Sequence, residues 1–242
     1  LSEQSLLYAK QLWNEDDSIS KMDTSGFSKR FGNSLKTSAA LQLYITTKDA
    51  KYAAVFKDAV FKSLDRFIQF GMQPALEAIP YMDDDYKKKL RDYVVKYKVM
   101  CDDYAKQNPY GVPIATGGWG GSSGVVNFGA TNYYANKFFP DVINAEYVYK
   151  GLNYIFGCHP YSNISFVSSV GTKSKKVTYG NNRADFSFIA GGIVPGILVI
   201  KPDFPENKED WPFFWGENEV TVGGCANYIF LANAAQQLIT GK

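Results

Sequence analysis

Ser38-Ala-Ala-Leu-Gln-Leu-Tyr-Ile-Thr-Thr-Lys-Asp-Ala-Lys-Tyr52 reads as the joint of a helical hairpin. Before the joint, Leu35–Ile45 carries apolar residues around most of its circumference, the pattern of a largely buried helix. After it, Ala50–Phe70 sets Tyr52, Val55, Phe56, Ala59, Val60 and Leu64 on one face of a long amphipathic helix. The same periodicity recurs outward in both directions. It predicts helices over Ser5–Trp13, Asp83–Ala105, Ser122–Phe138, Val142–Phe156 and about Val220–Leu238. Asp83, Asp84 and Asp85 suit a helix N-terminus, and the lysine clusters that follow read as a solvated face. About seven helices are therefore predicted, with no convincing run of alternating strands. Helix–loop–helix pairs of this kind are consistent with a toroid of helical hairpins. The predicted fold class is all-α.

Long Gly-rich and aromatic loops separate the later helices. One spans Asn108–Gly121 and another Gly157–Trp215. Loops of that length without structure of their own usually carry function.

Composition narrows the function. The 242 residues are 45% hydrophobic with a net charge of +2, enough for a substantial core and too neutral to favour nucleic acid. No basic block is interleaved with aromatics, and no apolar run approaches the roughly 20 residues of a membrane span. Leu1 opens directly into an amphipathic pattern rather than a signal peptide. Three widely spaced cysteines, Cys101, Cys158 and Cys225, do not suggest a disulfide framework, and the single His159 excludes a His-rich metal site. Aromatics reach 16%; most of them read as core, and those in Gly- and Pro-rich loops are less easily explained that way.

Three segments together resemble glycoside hydrolase family 9, whose members are inverting glucanases. The Ser38–Tyr52 joint is similar to the family's Ala-Ala-x-Leu-Tyr-x-x-Thr-Gly-Asp hairpin. Asn108–Gly121, with Pro-Tyr-Gly-Val-Pro and Gly-Gly-Trp-Gly-Gly, is similar to a loop of members that carry an N-terminal immunoglobulin-like module. Tyr154–Gly171 is similar to the family's Tyr-x-x-Gly-x-Asn-Pro-x-x-x-Ser-Tyr-Val-Thr-Gly-x-Gly. Downstream, Asp210, Trp215, Glu219 and Thr221 fall at the family's spacing around its catalytic Glu. There are departures: His159 stands where Asn is usual, Cys225 replaces an Asn, and the family's His-x-Arg is reduced to Arg183.

The resemblance implies an (α/α)6 toroid and an inverting hydrolase of β-linked glucan or a related oligosaccharide. It implies Glu219 as general acid and an Asp at position 210; Asp210 reads as an orienting carboxylate or sugar ligand, or equally as an ordinary member of the acidic stretch Glu206–Asp210. The family's paired aspartates, which include the general base, have no counterpart here; Asp83-Asp84-Asp85 lacks the Gly and Ala of that motif. Residues 1–242 are therefore expected to be the C-terminal portion of a single catalytic domain, with the base supplied by an N-terminal part outside this chain. That part and a polysaccharide are the expected partners, and the setting implied is extracellular or periplasmic. Hydrolysis needs no cofactor; the resemblance admits a calcium ion for which the sequence gives no ligand set.

The residues also have their own readings. At the start of a helix Glu219 is alternatively a first-turn or capping acid, and a helix N-terminus favours the carboxylate, whereas a general acid must hold its proton. Burial against Phe213, Phe214 and Trp215, and like charge from Asp210 or Glu217, work the other way. Trp119, Tyr110, Trp211 and Trp215 are candidate stacking platforms for sugar rings, or core. Arg183 offers bidentate hydrogen bonds to sugar hydroxyls, or an ion pair to Asp185. His159, implied as a substrate contact, more simply orders the loop before Pro160. Two other classes remain: a non-catalytic glycan-binding helical protein, and another helical-toroid enzyme such as a polysaccharide lyase.

Overall fold

In the computed structural model the described residues are 2–22, 33–114, 120–158, 163–175, 189–196 and 219–241. Among them lie eight α-helices and no strand beyond isolated bridges. The helices are α1 (Glu3–Met22), α2 (Asn33–Thr47), α3 (Ala50–Arg66), α4 (Ile68–Glu77), α5 (Asp84–Gln107), α6 (Ser122–Phe138), α7 (Glu146–Ile155) and α8 (Val222–Thr240). The chain divides into two compact units, Leu1–Tyr93 and Val94–Lys242.

In the first unit α2 and α3 form the hairpin read from Ser38–Tyr52. Asp49 caps α3 by accepting the Lys51 N–H at 3.0 Å, which ends one helix and starts the next without glycine or proline. Tyr52, Phe56, Val60 and Leu64 are buried along α3. Trp13 of α1 meets Tyr52 edge-to-face with centroids 5.3 Å apart. The predicted single helix over Ala50–Phe70 is broken at Phe67, whose φ of −148° and ψ of 79° leave the helical region. The break lets α4 fold back on α3 so closely that a Cβ on Gly71 would stand 3.0 Å from the Leu64 nitrogen. The apolar pattern runs on across Phe67, so periodicity does not reveal the corner. The aspartates before α5 act as read: Asp83 accepts the Tyr86 N–H at 2.8 Å and the Lys57 ammonium at 2.5 Å.

In the second unit α6, α7 and α8 pack on one another. The contacts turn on glycine. A Cβ on Gly151 of α7 would lie 3.1 Å from the Val125 carbonyl oxygen of α6. One on Gly129 of α6 would lie 2.7 Å from Leu231 Cδ1 of α8. Asn132, fully buried in α6, donates to the Phe128 carbonyl at 2.8 Å and faces Tyr97 and Cys101 of α5. Burial pushes the Cys101 thiol up to about 12, so it is an inert packing group. The prediction of a helix from Val142 is corrected to Glu146: the Asn144 side chain accepts the Glu146 N–H at 3.0 Å and holds the preceding residues in a turn.

The Tyr154–Gly171 segment folds as its glycine dictates. Gly157 has φ +83°, and a Cβ there would stand 2.4 Å from the Ile164 carbonyl carbon. That close approach lets Phe166 donate its N–H to Ile155 at 2.9 Å and bury its ring against Tyr154. Val167 bridges Ile193, and Val194 donates to the Phe166 carbonyl at 2.9 Å. Residues 189–196 are thereby laid beside the start of α6.

Candidate functional site

Glu219 lies two residues before Thr221, the N-cap of α8. Thr221 Oγ1 accepts the Gly224 N–H at 3.1 Å, so the capping role belongs to the threonine. This corrects the helix start from Val220 to Val222 and removes Glu219 from both the first turn and the cap. Its side chain is half-buried and lines a small cavity, about 30 Å³, shared with Ser122, Ser123, Val126, Thr221 and Asn227 among the described residues.

Two helix N-termini meet at this cavity. Ser122 and Ser123 open α6, and Thr221 and Gly224 open α8. The start of α6 is held by a backbone bond from the Ser122 N–H to the Pro195 carbonyl at 2.7 Å. Gly120 permits that approach, since a Cβ there would be 2.7 Å from the Pro195 carbonyl. The α6 N-cap is Gly121, which offers no side-chain cap. Helix N-termini present free N–H groups that can hydrogen-bond a side chain or a water in such a cavity. Asn227 on α8 donates to Asn127 Oδ1 on α6 at 3.0 Å and ties the two helix starts together across the site.

Tyr110 sits elsewhere in the same unit. Its N–H bonds Asn108 Oδ1 at 3.1 Å, and Asn108 Nδ2 donates to the Val112 carbonyl at 2.8 Å, closing the Pro-Tyr-Gly turn with Gly111 at φ +65°. The ring meets Tyr154 edge-to-face at 5.2 Å. Both tyrosines line an open groove of about 640 Å³ with Pro109, Lys150, Asn153 and Asn163. Among the described residues no residue lines both this groove and the Glu219 cavity. Asp210, Trp215, Arg183, Trp119, Trp211 and His159 lie outside the described residues.

Ser122, Ser123 and Asn227 were not among the residues singled out from sequence. Ser122 follows Gly120-Gly121 at a helix start, a signal of local structure that says nothing of Glu219 so far along the chain. Among the described residues no three Asp, Glu, His or Cys side chains come together as a cation site, so no residue is assigned to the calcium that the resemblance admits. Cys101, Cys158 and Cys225 are free thiols.

No protein-family model matches the chain, and no curated protein matches it in sequence. Solved structures do match. A Bacteroides ovatus GH9 protein aligns at a TM-score of 0.62 and 20% identity, over 84% of this chain and 40% of its own. The cellulase Cel9M of C. cellulolyticum aligns at 0.57 and 19% identity, over 88% of this chain and 51% of its own. The same cellulase in complex with cellobiose aligns at 0.53 and 19%, over 88% and 52%. The chain thus spans about half or less of the length of the structures it matches, and at these identities what the likeness shows is the fold: all-α, of the GH9 (α/α)6 toroid kind over part of its extent.

Proposed function

We infer that this chain is the C-terminal part of an inverting glycoside hydrolase that cleaves β-linked glucan, with Glu219 as the general acid. The observation that carries the reading is the placement of Glu219. It stands free of any capping duty, half-buried at a cavity where two helices of a cellulase-like fold begin. An acid without a capping task at the edge of a cavity is the kind of group a proton transfer needs. In the inverting mechanism it protonates the departing glycosidic oxygen. A second carboxylate activates water on the opposite face of the ring, about 6.5–9.5 Å away. That base is an aspartate supplied by the remaining part of the toroid. Asp210, Trp215, Arg183, Trp119, Trp211, Tyr110 and His159 are the proposed substrate-side residues, and the setting is extracellular or periplasmic. Among the described residues no helix is long and apolar enough to cross a membrane.

Helix α8 supports the partner half of this reading. Its 19 residues include no Asp, Glu, Lys or Arg. Val222, Ala226, Ile229, Asn233, Gln236 and Thr240 form a continuous stripe at alternating spacings of four and three, all exposed, with Val222 at 90% and Ile229 at 57%. A helix that is apolar or uncharged all round belongs inside a protein. The occupant proposed for this stripe is a helix of the toroid's other part, and similar chains about twice as long have room for one.

The test is Glu219→Gln in the full-length protein. Expected is a loss of ~10²–10⁴-fold in kcat on substrates with a poor leaving group, with glucan binding and folding retained. Aryl glycosides with a good leaving group lose far less, since they need little protonation. Unchanged hydrolysis of the poor substrates would overturn the assignment. Proton NMR of the first-formed product reports inversion at the anomeric carbon. The 242-residue chain alone should show no turnover, because its base is elsewhere.

A further inference from the structure

Ser122 is the unexplained residue of the Glu219 cavity. It is 2% exposed, and its hydroxyl has no hydrogen-bond partner among the described residues. The neighbouring chain is fitted around that hydroxyl: Gly196, at φ +83°, would place a Cβ 2.4 Å from Ser122 Oγ. A buried hydroxyl with no partner is costly, and alanine fills the same volume without that cost. The cavity it lines with Glu219 has an apolar wall of Val126, Ile193, Val194 and Pro195 and is of a size for one or roughly two waters. Ser123, Thr221 and Asn227 around it supply further polar groups, which meets a buried water's need for several partners.

We propose that Ser122 is a positioning residue: its hydroxyl anchors a buried water that hydrogen-bonds the Glu219 carboxyl and fixes the direction in which the acid points. The water takes the Ser122 hydroxyl on one side and the carboxyl on the other. Glu219 is then held from below by the start of α6 as well as by its own chain. Its free oxygen faces the substrate side.

The kinetic half of this inference rests on the hydrolase reading; the structural half does not. The test is Ser122→Ala in the full-length protein, followed by high-resolution crystallography, thermal unfolding and kinetics. Expected in the wild type is a water within hydrogen-bond distance of both Ser122 Oγ and a Glu219 carboxyl oxygen. In S122A that water is lost and the Glu219 side chain moves or spreads over rotamers. kcat should fall about tenfold to a hundredfold with KM unchanged, the scale expected of a misplaced catalytic group. A merely structural serine gives a different result: S122A is as stable as wild type or more so, Glu219 keeps its position, and kcat is unchanged. Either that result, or no water joining the two residues in the wild type, overturns the proposal. If the wild-type protein hydrolyses no glucan, the hydrolase reading fails. The water and the order of Glu219 in S122A then still decide the role of Ser122.

Discussion

Helix α5 sets Asp84, Asp85, Lys87, Lys88, Lys89, Arg91 and Asp92 toward solvent, while Tyr86, Leu90, Val94, Tyr97 and Cys101 form a buried stripe at helical spacing. Helix α8 has no charged residue, buries only Leu231, Ala234 and Ala235, and leaves Val222, Ile229 and Ile239 open. The first pattern is a packed face and a largely charged solvent face, with Val95 and Val99 exposed among the charges, tied along the helix by Lys98 and Asp102 at 2.6 Å. Burial works against the Asp102 charge, but hydrogen bonds from Lys98 and Tyr147 outweigh it and hold its carboxyl below the usual value. The second pattern is half used. Reading the two together teaches that exposure in a structure and suitability for exposure in a sequence are separate properties, and their disagreement on α8 is what motivates the proposed partner helix.

The comparison breaks most sharply if charge is placed on each open face. Ile229→Lys in the full-length protein should cost about 3 kcal/mol or more, because the ammonium would be buried against the proposed partner helix. Val99→Lys on α5, at a residue that is 67% exposed, should stay within about 0.5 kcal/mol of wild type. Equal, small effects by denaturant unfolding would mean that the α8 stripe faces water.

The buried faces should behave alike. Leu90→Ala on α5 and Leu231→Ala on α8 each remove a fully buried leucine and should cost about 2–5 kcal/mol. A smaller loss at Leu231 would show that α8 is loosely docked. Gly151→Ala, which pushes a methyl toward the α6 backbone, should cost about 1–3 kcal/mol and lower the thermal midpoint.

The smallest differences lie at the helix starts. Thr221→Ala should cost about 1 kcal/mol through loss of the α8 cap. Asp83 at the start of α5 adds a pH signature. Lys57 foremost, and then the Tyr86 N–H, hold its carboxyl below the ordinary value. Because the folded value is the lower one, its contribution is full above about pH 4 and fades as pH falls through the folded value. Unfolding of wild type and Asp83→Asn should therefore differ at pH 7, by under about 1 kcal/mol for so exposed a group, and converge near pH 3.

Helices whose two faces differ, or whose starts are marked, were legible in the sequence. Ser122–Phe138 is observed at the bounds periodicity assigns, and α5 begins at its aspartates. The corner at Phe67 was not legible, because it depends on Gly71 fitting against Leu64, a contact with no local signature. Glu219 could be found from spacing within one segment. Its setting could not, because Ser122 is brought there by a bond to Pro195, and Pro195 is held by the Phe166 segment that Gly157 admits. Each link in that chain is a tertiary contact. Thr221 as the α8 cap was within reach, since a threonine ahead of an apolar run is a start signal, yet the periodicity reading began the helix two residues too early.

The leucine of α8 seated against Gly129 of α6 acts as a fulcrum. From Leu231 back to Val222 the helix runs roughly 14 Å, and Glu219 rides just beyond that end. A tilt of about 4° on the fulcrum would swing the helix start by roughly 1 Å, a displacement on the scale that matters to any positioned reacting group. The aim of the acid proposed at Glu219 would thus be set at the far end of a lever. A methyl group added at position 129, in contact with neither substrate nor carboxyl, would be felt at Glu219.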